Sequence, residues 1–174
     1  MTDSELRLNV KEAQGGNARA FGELYSAAAN DAYRFALWYI KDPFEAEDAV
    51  QEAAIKAYKN IKSLKKPSSF KSWFMSIVLN CCKDILSERQ QSLIAFDCNT
   101  LLEETPYYDS YENRDVLRQL KKLSDTDRKI ILMSVLGDFK SGEIAKEMGM
   151  TATAVRSRLS RALQFLRTEM EKEQ

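Results

Sequence analysis

Apolar side chains recur every three or four residues through most of this chain, the spacing that brings them to one face of an α-helix. Phe21, Leu24 and Tyr25 open one such face, and Tyr33, Leu37 and Ile40 continue it. Lys41-Asp42-Pro43 then breaks the pattern, because proline cannot continue a helix from within. Ala46, Val50, Ala53, Ala57 and Ile61 form a second face. Phe70, Trp73, Phe74, Ile77, Val78 and Ile85 form a third, introduced by the loop Lys65-Lys66-Pro67-Ser68-Ser69. Past Gln91 the period fails in AFDCNTLLEETPYYDSYEN, an acidic stretch carrying Pro106. It resumes at Val116, Leu120 and Leu123, then at Ile130, Ile131, Met133 and Val135 behind a Ser124-Asp125 start signal. The pattern predicts an all-α protein: an N-terminal extension over 1–17, a helical domain over 18–90, a flexible acidic linker over 91–114 and a second helical domain over 115–170.

At 174 residues there is room for two small domains. No apolar run approaches the roughly 20 residues that cross a bilayer, and MTDSELRLNVKEAQGG lacks the apolar core of a signal peptide. No membrane insertion and a cytoplasmic location are expected. Cys81, Cys82 and Cys98 are odd in number and two are adjacent, so they read as reduced thiols. The chain contains no histidine, and with it go the commonest general base and the commonest metal ligand. One helix cannot converge Asp42, Glu45, Glu47, Asp48 and Glu52 on a single metal. Neither a catalytic residue, a metal site nor a cofactor is expected.

Formal net charge is zero, which taken alone argues against nucleic acid. The distribution changes that picture. From Asp42 to Glu52 there are five acids and no base; from Ala53 to Lys83, seven lysines and no acid. From Asp97 to Asp115 six acids face Arg114 alone, and from Thr151 to Arg167 there are four arginines and no acid. Such alternation suits a chain that meets nucleic acid on some faces and a protein on others.

The stretch SGEIAKEMGMTATAVRSRLSRALQFLR carries the most specific signal. Ala145 is small where two helices must approach, Gly149 follows at a turn, and Val155 lies six residues on in a second helix. That spacing predicts a helix-turn-helix. Val155, Leu159, Ala162 and Leu166 share the inner stripe of its second helix. Thr153, Arg156, Ser157, Ser160, Arg161 and Gln164 are then free for base edges and phosphates, and Arg158 and Arg167 flank them on the phosphate side. A solvated helix would ordinarily pair such arginines with acids four residues away, which this one lacks. A stand-alone helix-turn-helix repressor binding a palindrome as a dimer is the competing expectation from this motif alone.

Three motifs together resemble the extracytoplasmic-function (ECF) subfamily of sigma-70 factors, over about residues 18 to 168 apart from the linker. LKKLSDTDRKIILMSVLGDFK and the helix-turn-helix are similar to the family's minus-35-reading domain, with Ser124 where its lead has proline and Ala154 where threonine is common. DPFEAEDAVQEAAIKAY is similar to its polymerase-binding helix, with Ala54 for the usual aromatic. SSFKSWFMSIVLNCCKDILSER is similar to its minus-10-reading helix, with Ser76 where arginine is frequent. The resemblance implies a promoter-reading initiation factor and no enzyme. By it, Asp42, Asp48, Gln51 and Glu52 meet the clamp helices of the largest subunit of core RNA polymerase, and the flap of the second largest is a further contact. Lys65, Lys66, Ser68, Asn80 and Lys83 meet the minus-10 element, with Trp73 and Phe70 assigned to the core. Thr153, Arg156, Ser157, Arg158, Ser160 and Arg161 meet the minus-35 element, and an anti-sigma factor is an implied partner. The polar trio Asp48, Gln51 and Glu52 shares one helix side by its spacing of three and four, opposite the apolar stripe.

Overall fold

The computed structural model describes residues 1–95, 119–120 and 122–172, and every regular element among them is helical. The chain forms two compact units, Met1–Thr105 and Pro106–Gln174. In the first, α1 (Asp3–Gln14), α2 (Ala18–Ile40), α3 (Pro43–Asn60) and α4 (Phe70–Ala95) pack together, with single 3-10 turns at Ile61–Ser63 and Pro67–Ser69.

Local chemistry fixes where these helices begin. Asn17 accepts the free amides of Arg19 and Ala20 at the head of α2, and Asp42 does the same for Phe44 and Glu45 at the head of α3, with Pro43 in its first turn. Lys41, between the two helices, holds the left-handed conformation at φ 63° and closes α2. The break expected at Lys41-Asp42-Pro43 is therefore a helix stop and a helix start back to back.

The core of this unit is aromatic. Phe35, Phe70 and Phe74 are almost wholly buried alongside Leu24, Met75 and Val78. Phe70 stacks on Phe74 at 6.1 Å, and Phe21 and Tyr25 meet that pair edge-on. Ala28, Ala32 and Ala36 of α2 and Ala46, Ala49, Ala53 and Ala57 of α3 are also buried, and small residues at a contact let helix axes approach closely. Lys71 pairs with Asp31 at 2.6 Å and ties the start of α4 to α2.

Two features depart from the sequence reading. The stretch 1–17, for which no element was predicted, contains α1, opened by a reciprocal pair between Thr2 and Glu5 and docked through buried Val10 and Ala13. So few buried positions produce no apolar stripe long enough to recognise. Helix α4 also runs to Ala95, past the boundary expected at 90. Ser87, Glu88, Arg89 and Gln90 are all exposed, so the helix continues there without an apolar face. The linker expected over 91–114 lies, from residue 96 onward, outside the described residues, as do Cys98 and Val116.

In the second unit, α5 (Asp125–Val135), α6 (Ser141–Met148) and α7 (Ala152–Glu171) follow a helical Gln119 and Leu120. Ile130, Met133, Ile144 and Val155 are wholly or almost wholly buried at its centre. Ser124 caps α5 by accepting the Asp127 amide, so serine at the family's proline position opens the helix by another route. The Arg128 guanidinium donates to the carbonyls of Leu120 and Leu123 at 2.9 and 3.0 Å, holding the preceding segment. At Gly137 an added Cβ would lie 2.3 Å from the Phe139 ring and 2.7 Å from the Met133 carbonyl oxygen.

Candidate polymerase and nucleic-acid interfaces

The helix-turn-helix is built by α6, the turn at Gly149 and α7. Gly149 adopts φ 63°, a left-handed conformation that side chains with a Cβ resist. Thr151 then caps α7 by accepting the Ala154 amide at 3.2 Å. Val155, Ala162 and Leu166 are buried and Leu159 packs partly beneath them, which leaves Thr153, Arg156, Ser157, Ser160, Arg161, Gln164 and Arg167 exposed. Arg156 donates to Thr153 Oγ1 at 3.1 Å and Arg161 to the Ser157 carbonyl oxygen at 3.3 Å. Both guanidiniums are thus steadied within the helix while facing solvent.

Arg158 behaves differently. It is only partly exposed and donates to Asp127 Oδ1 at 2.9 Å, joining α7 to the first turn of α5. The Ser124 hydroxyl beside Asp127 and the Arg158 guanidinium both favour the carboxylate, and hold the Asp127 carboxyl below the usual range. The expectation that Arg158 touches DNA meets an internal partner that the sequence did not announce. Asp127 lies 31 residues upstream, beyond any helical spacing.

On α3, Asp48, Gln51 and Glu52 are all exposed, and the buried alanines and Val50 occupy the other side. Gln51 donates to Glu47 at 3.1 Å, and Glu52 pairs with Lys56 at 3.0 Å. Phe44 is 79% exposed and Ile55 56%, with Tyr58 at 40%. Phe44, Asp48, Gln51, Ile55 and Tyr58 follow one another at alternating spacings of four and three, the stripe one helix presents to another. Sequence reasoning named the polar members of this stripe and missed the apolar ones, although their spacing was legible. Asp42 stands apart from it: its Oδ1 accepts both capping amides of α3, which gives it a local structural role. Glu45 faces Arg89 at 3.6 Å.

Among the residues expected at the minus-10 element, Lys65, Lys66, Ser68 and Asn80 are exposed and Lys83 is half-buried. They do not share one point. From Phe70, just after the loop, to Asn80 the helix rises about 15 Å, so the loop residues and Asn80 lie apart along α4. Phe70 is buried; Trp73 is half-buried against it at 6.1 Å. The loop has a support that sequence gave no sign of. Gln14, at the end of α1, donates through Nε2 to the carbonyl oxygens of Ile61 at 3.1 Å and Leu64 at 2.8 Å.

Lys56 also reaches Asp84 at 3.7 Å and Cys81 Sγ at 3.6 Å. Cys81 and Cys82 are buried. Burial raises both thiols, Cys82 to about 12, and a protonated thiol is a poor nucleophile. Among the described residues no helix is long and apolar enough to cross a membrane.

Residues 24–92 match the family model for sigma-70 region 2, and residues 113–166 that for sigma-70 region 4. The chain is 31% identical over 143 residues to the RNA polymerase sigma factor SigV of Bacillus subtilis, covering 82% of this chain and 86% of that protein. This chain belongs to the sigma-70 family. Sigma factors of the ECF group align along nearly the full length: the sigma-E factor of Haemophilus influenzae is 26% identical over 98% of this chain and 96% of its own. The fold is shared with the sigma factor RpoE of Bartonella quintana, solved with the anti-sigma factor NepR. The TM-score is 0.62 at 22% identity, covering 90% of this chain and all of that one. The protein is an ECF sigma factor that binds core RNA polymerase and directs promoter-specific transcription initiation. Region 4 is its DNA-binding part.

Proposed function

We propose that this sigma factor divides its work among three surfaces. The α3 stripe docks on the polymerase clamp helices, with Asp48, Gln51 and Glu52 supplying charge and hydrogen bonds and Phe44, Ile55 and Tyr58 supplying the apolar contact. Lys65, Lys66, Ser68, Asn80 and Lys83 line the path of the minus-10 strand. On α7, Arg156 reads a minus-35 base while Arg161 holds a phosphate, with Thr153, Ser157 and Ser160 beside them. The observation that carries this reading is the outer face of α7: Arg156 and Arg161 stand exposed on a capped helix whose opposite face is buried. The polymerase flap and an anti-sigma factor are further partners, the factor acts in the cytoplasm, and it performs no chemistry of its own.

Selection of minus-35 variants with mutant holoenzymes at two salt concentrations tests the α7 assignment. Arg156→Ala is expected to relax preference at one position and cost about 1 to 3 kcal/mol there. Arg161→Ala is expected to weaken all sequences alike. If Arg161→Ala alone alters preference, the two roles are exchanged; if neither does, α7 is not the reading helix.

A further inference from the structure

We propose that Asp127 is a specificity-determining positioning residue, which holds Arg158 in an intramolecular pair so that α7 meets the promoter without it. The inference rests on the reading that α7 meets DNA, and deepens it.

Four arginines and no acid lie between Thr151 and Arg167, and the acids of α7, Glu169 and Glu171, sit in its last turn, so Arg156, Arg158 and Arg161 have no acid four residues away within the helix. A helix with every arginine free would bind any phosphate backbone, because such contacts carry no sequence information. Specificity gains when cations that cannot read a base are withheld. Position on the helix makes Arg158 the one that can be withheld from within the fold. At about 100° per residue it lies roughly 60° from Val155, and its neighbour on that flank is the first turn of α5, where Asp127 waits at 2.9 Å. Arg156 lies on the other flank, and Arg161 projects farther from the buried stripe.

Asp127 is itself held in place. Its backbone amide donates to the Ser124 hydroxyl at 3.1 Å, and that hydroxyl donates to its Oδ2 at 2.7 Å, leaving Oδ1 for Arg158. The carboxylate is thus oriented by the cap that starts α5 and does not depend on α7 for its place. Beside the pair lies a cavity of about 270 Å³ lined by Leu123, Asp127, Arg158, Arg161, Ala162 and Phe165. A released Arg158 has room to swing outward without disturbing the core.

The test measures promoter binding by the holoenzyme across a salt series, on cognate and scrambled minus-35 sequences, with the melting temperature of each variant as a folding control. Arg158→Ala is expected to leave the salt slope unchanged. Asp127→Asn is expected to steepen it by about one unit, the value of one added phosphate contact, and to raise affinity for the scrambled sequence so that discrimination falls. Adding Arg158→Ala to Asp127→Asn should remove that extra unit, which a purely structural role for Asp127 would not do. A slope that flattens by about one unit on Arg158→Ala alone places Arg158 on a phosphate and overturns the proposal. So does an Asp127→Asn protein that keeps the wild-type slope. Should Asp127→Asn fail to fold, Arg158→Ala alone still decides between a withheld and a bound arginine. Arg156→Ala and Arg161→Ala report on the underlying reading: if neither weakens binding, α7 does not meet DNA, and the latch falls with that reading.

Discussion

A single carboxylate can matter through the helix it starts, and Asp42 is such a case. Its Oδ1 accepts the amides of Phe44 and Glu45, each at 2.9 Å. Asp42→Ala should cost about 1 kcal/mol of stability in the first unit, read by thermal melting, whereas Asp42→Asn or Asp42→Ser should restore most of it. Any loss of polymerase binding should follow the lost cap, so the asparagine variant should bind nearly as well as the native protein. Glu169 gives a pH-dependent counterpart in the second unit. Hydrogen bonds from Lys122 and Lys172, at 2.8 and 2.7 Å, lower its carboxyl from the ordinary 4.5 to about 2. A depressed carboxylate stabilises the fold above its unfolded value and loses that contribution as pH falls through its folded one. Glu169→Gln should therefore lower the melting temperature near neutral pH, with the difference closing between about pH 4.5 and 2. A difference that stays constant over that window would remove the carboxylate from the account. Neither residue's role was legible beforehand. Asp42 stands in the sequence as one acid in a run of five and, by the resemblance, as a polymerase contact, while Glu169 gains its Lys122 partner from a position 47 residues away.

At the scale of the element, α3 and α7 present the same arrangement with different chemistry: small or branched apolar residues inward, a polar functional face outward. Periodicity captures that arrangement well, because burial of one face is what makes the period. It identified Ala46, Val50, Ala53 and Ala57 of α3 and the Val155 to Leu166 stripe of α7, and by subtraction the exposed polar residues of each. It failed where few positions are buried, as in α1 and over Ser87 to Gln90 of α4. It also failed where one element serves another, as Gln14 serves the loop before α4 and Asp127 serves α7. Reversing charge at Asp48 and Glu52 to lysine should sharply weaken binding to core polymerase while shifting stability by about 0.5 kcal/mol or less, since the Glu52–Lys56 pair is exposed. Ile55→Ala should weaken the same interaction with almost no change in melting, because its side chain is already exposed. Core affinity unchanged in both proteins would withdraw α3 as the docking face.

Over the whole molecule, the charges cancel and the pI is about 6.4, yet the arginines of α7 and the acids from Asp97 to Asp115 belong to one chain. Acids tethered to a basic face compete with DNA for it, and the protein should bind promoter duplex poorly by itself, with affinity appearing when core polymerase is added. Tight binding of the free protein to a palindromic site in an electrophoretic mobility assay would instead favour the stand-alone repressor expected from the helix-turn-helix alone. The double hydrogen bond from Gln14 bears on how this sigma factor can be dissected. The region 2 match begins at residue 24, a natural place to cut a minimal fragment, yet such a cut removes all of α1 and the start of α2. The fragment would bare the surface that covers Val10 and Ala13, and it would leave the Ile61 and Leu64 carbonyls without the amide that spans them. Its failure to engage a melted minus-10 strand would then report a collapsed loop, and would say nothing about Lys65, Lys66 or Ser68 as contacts.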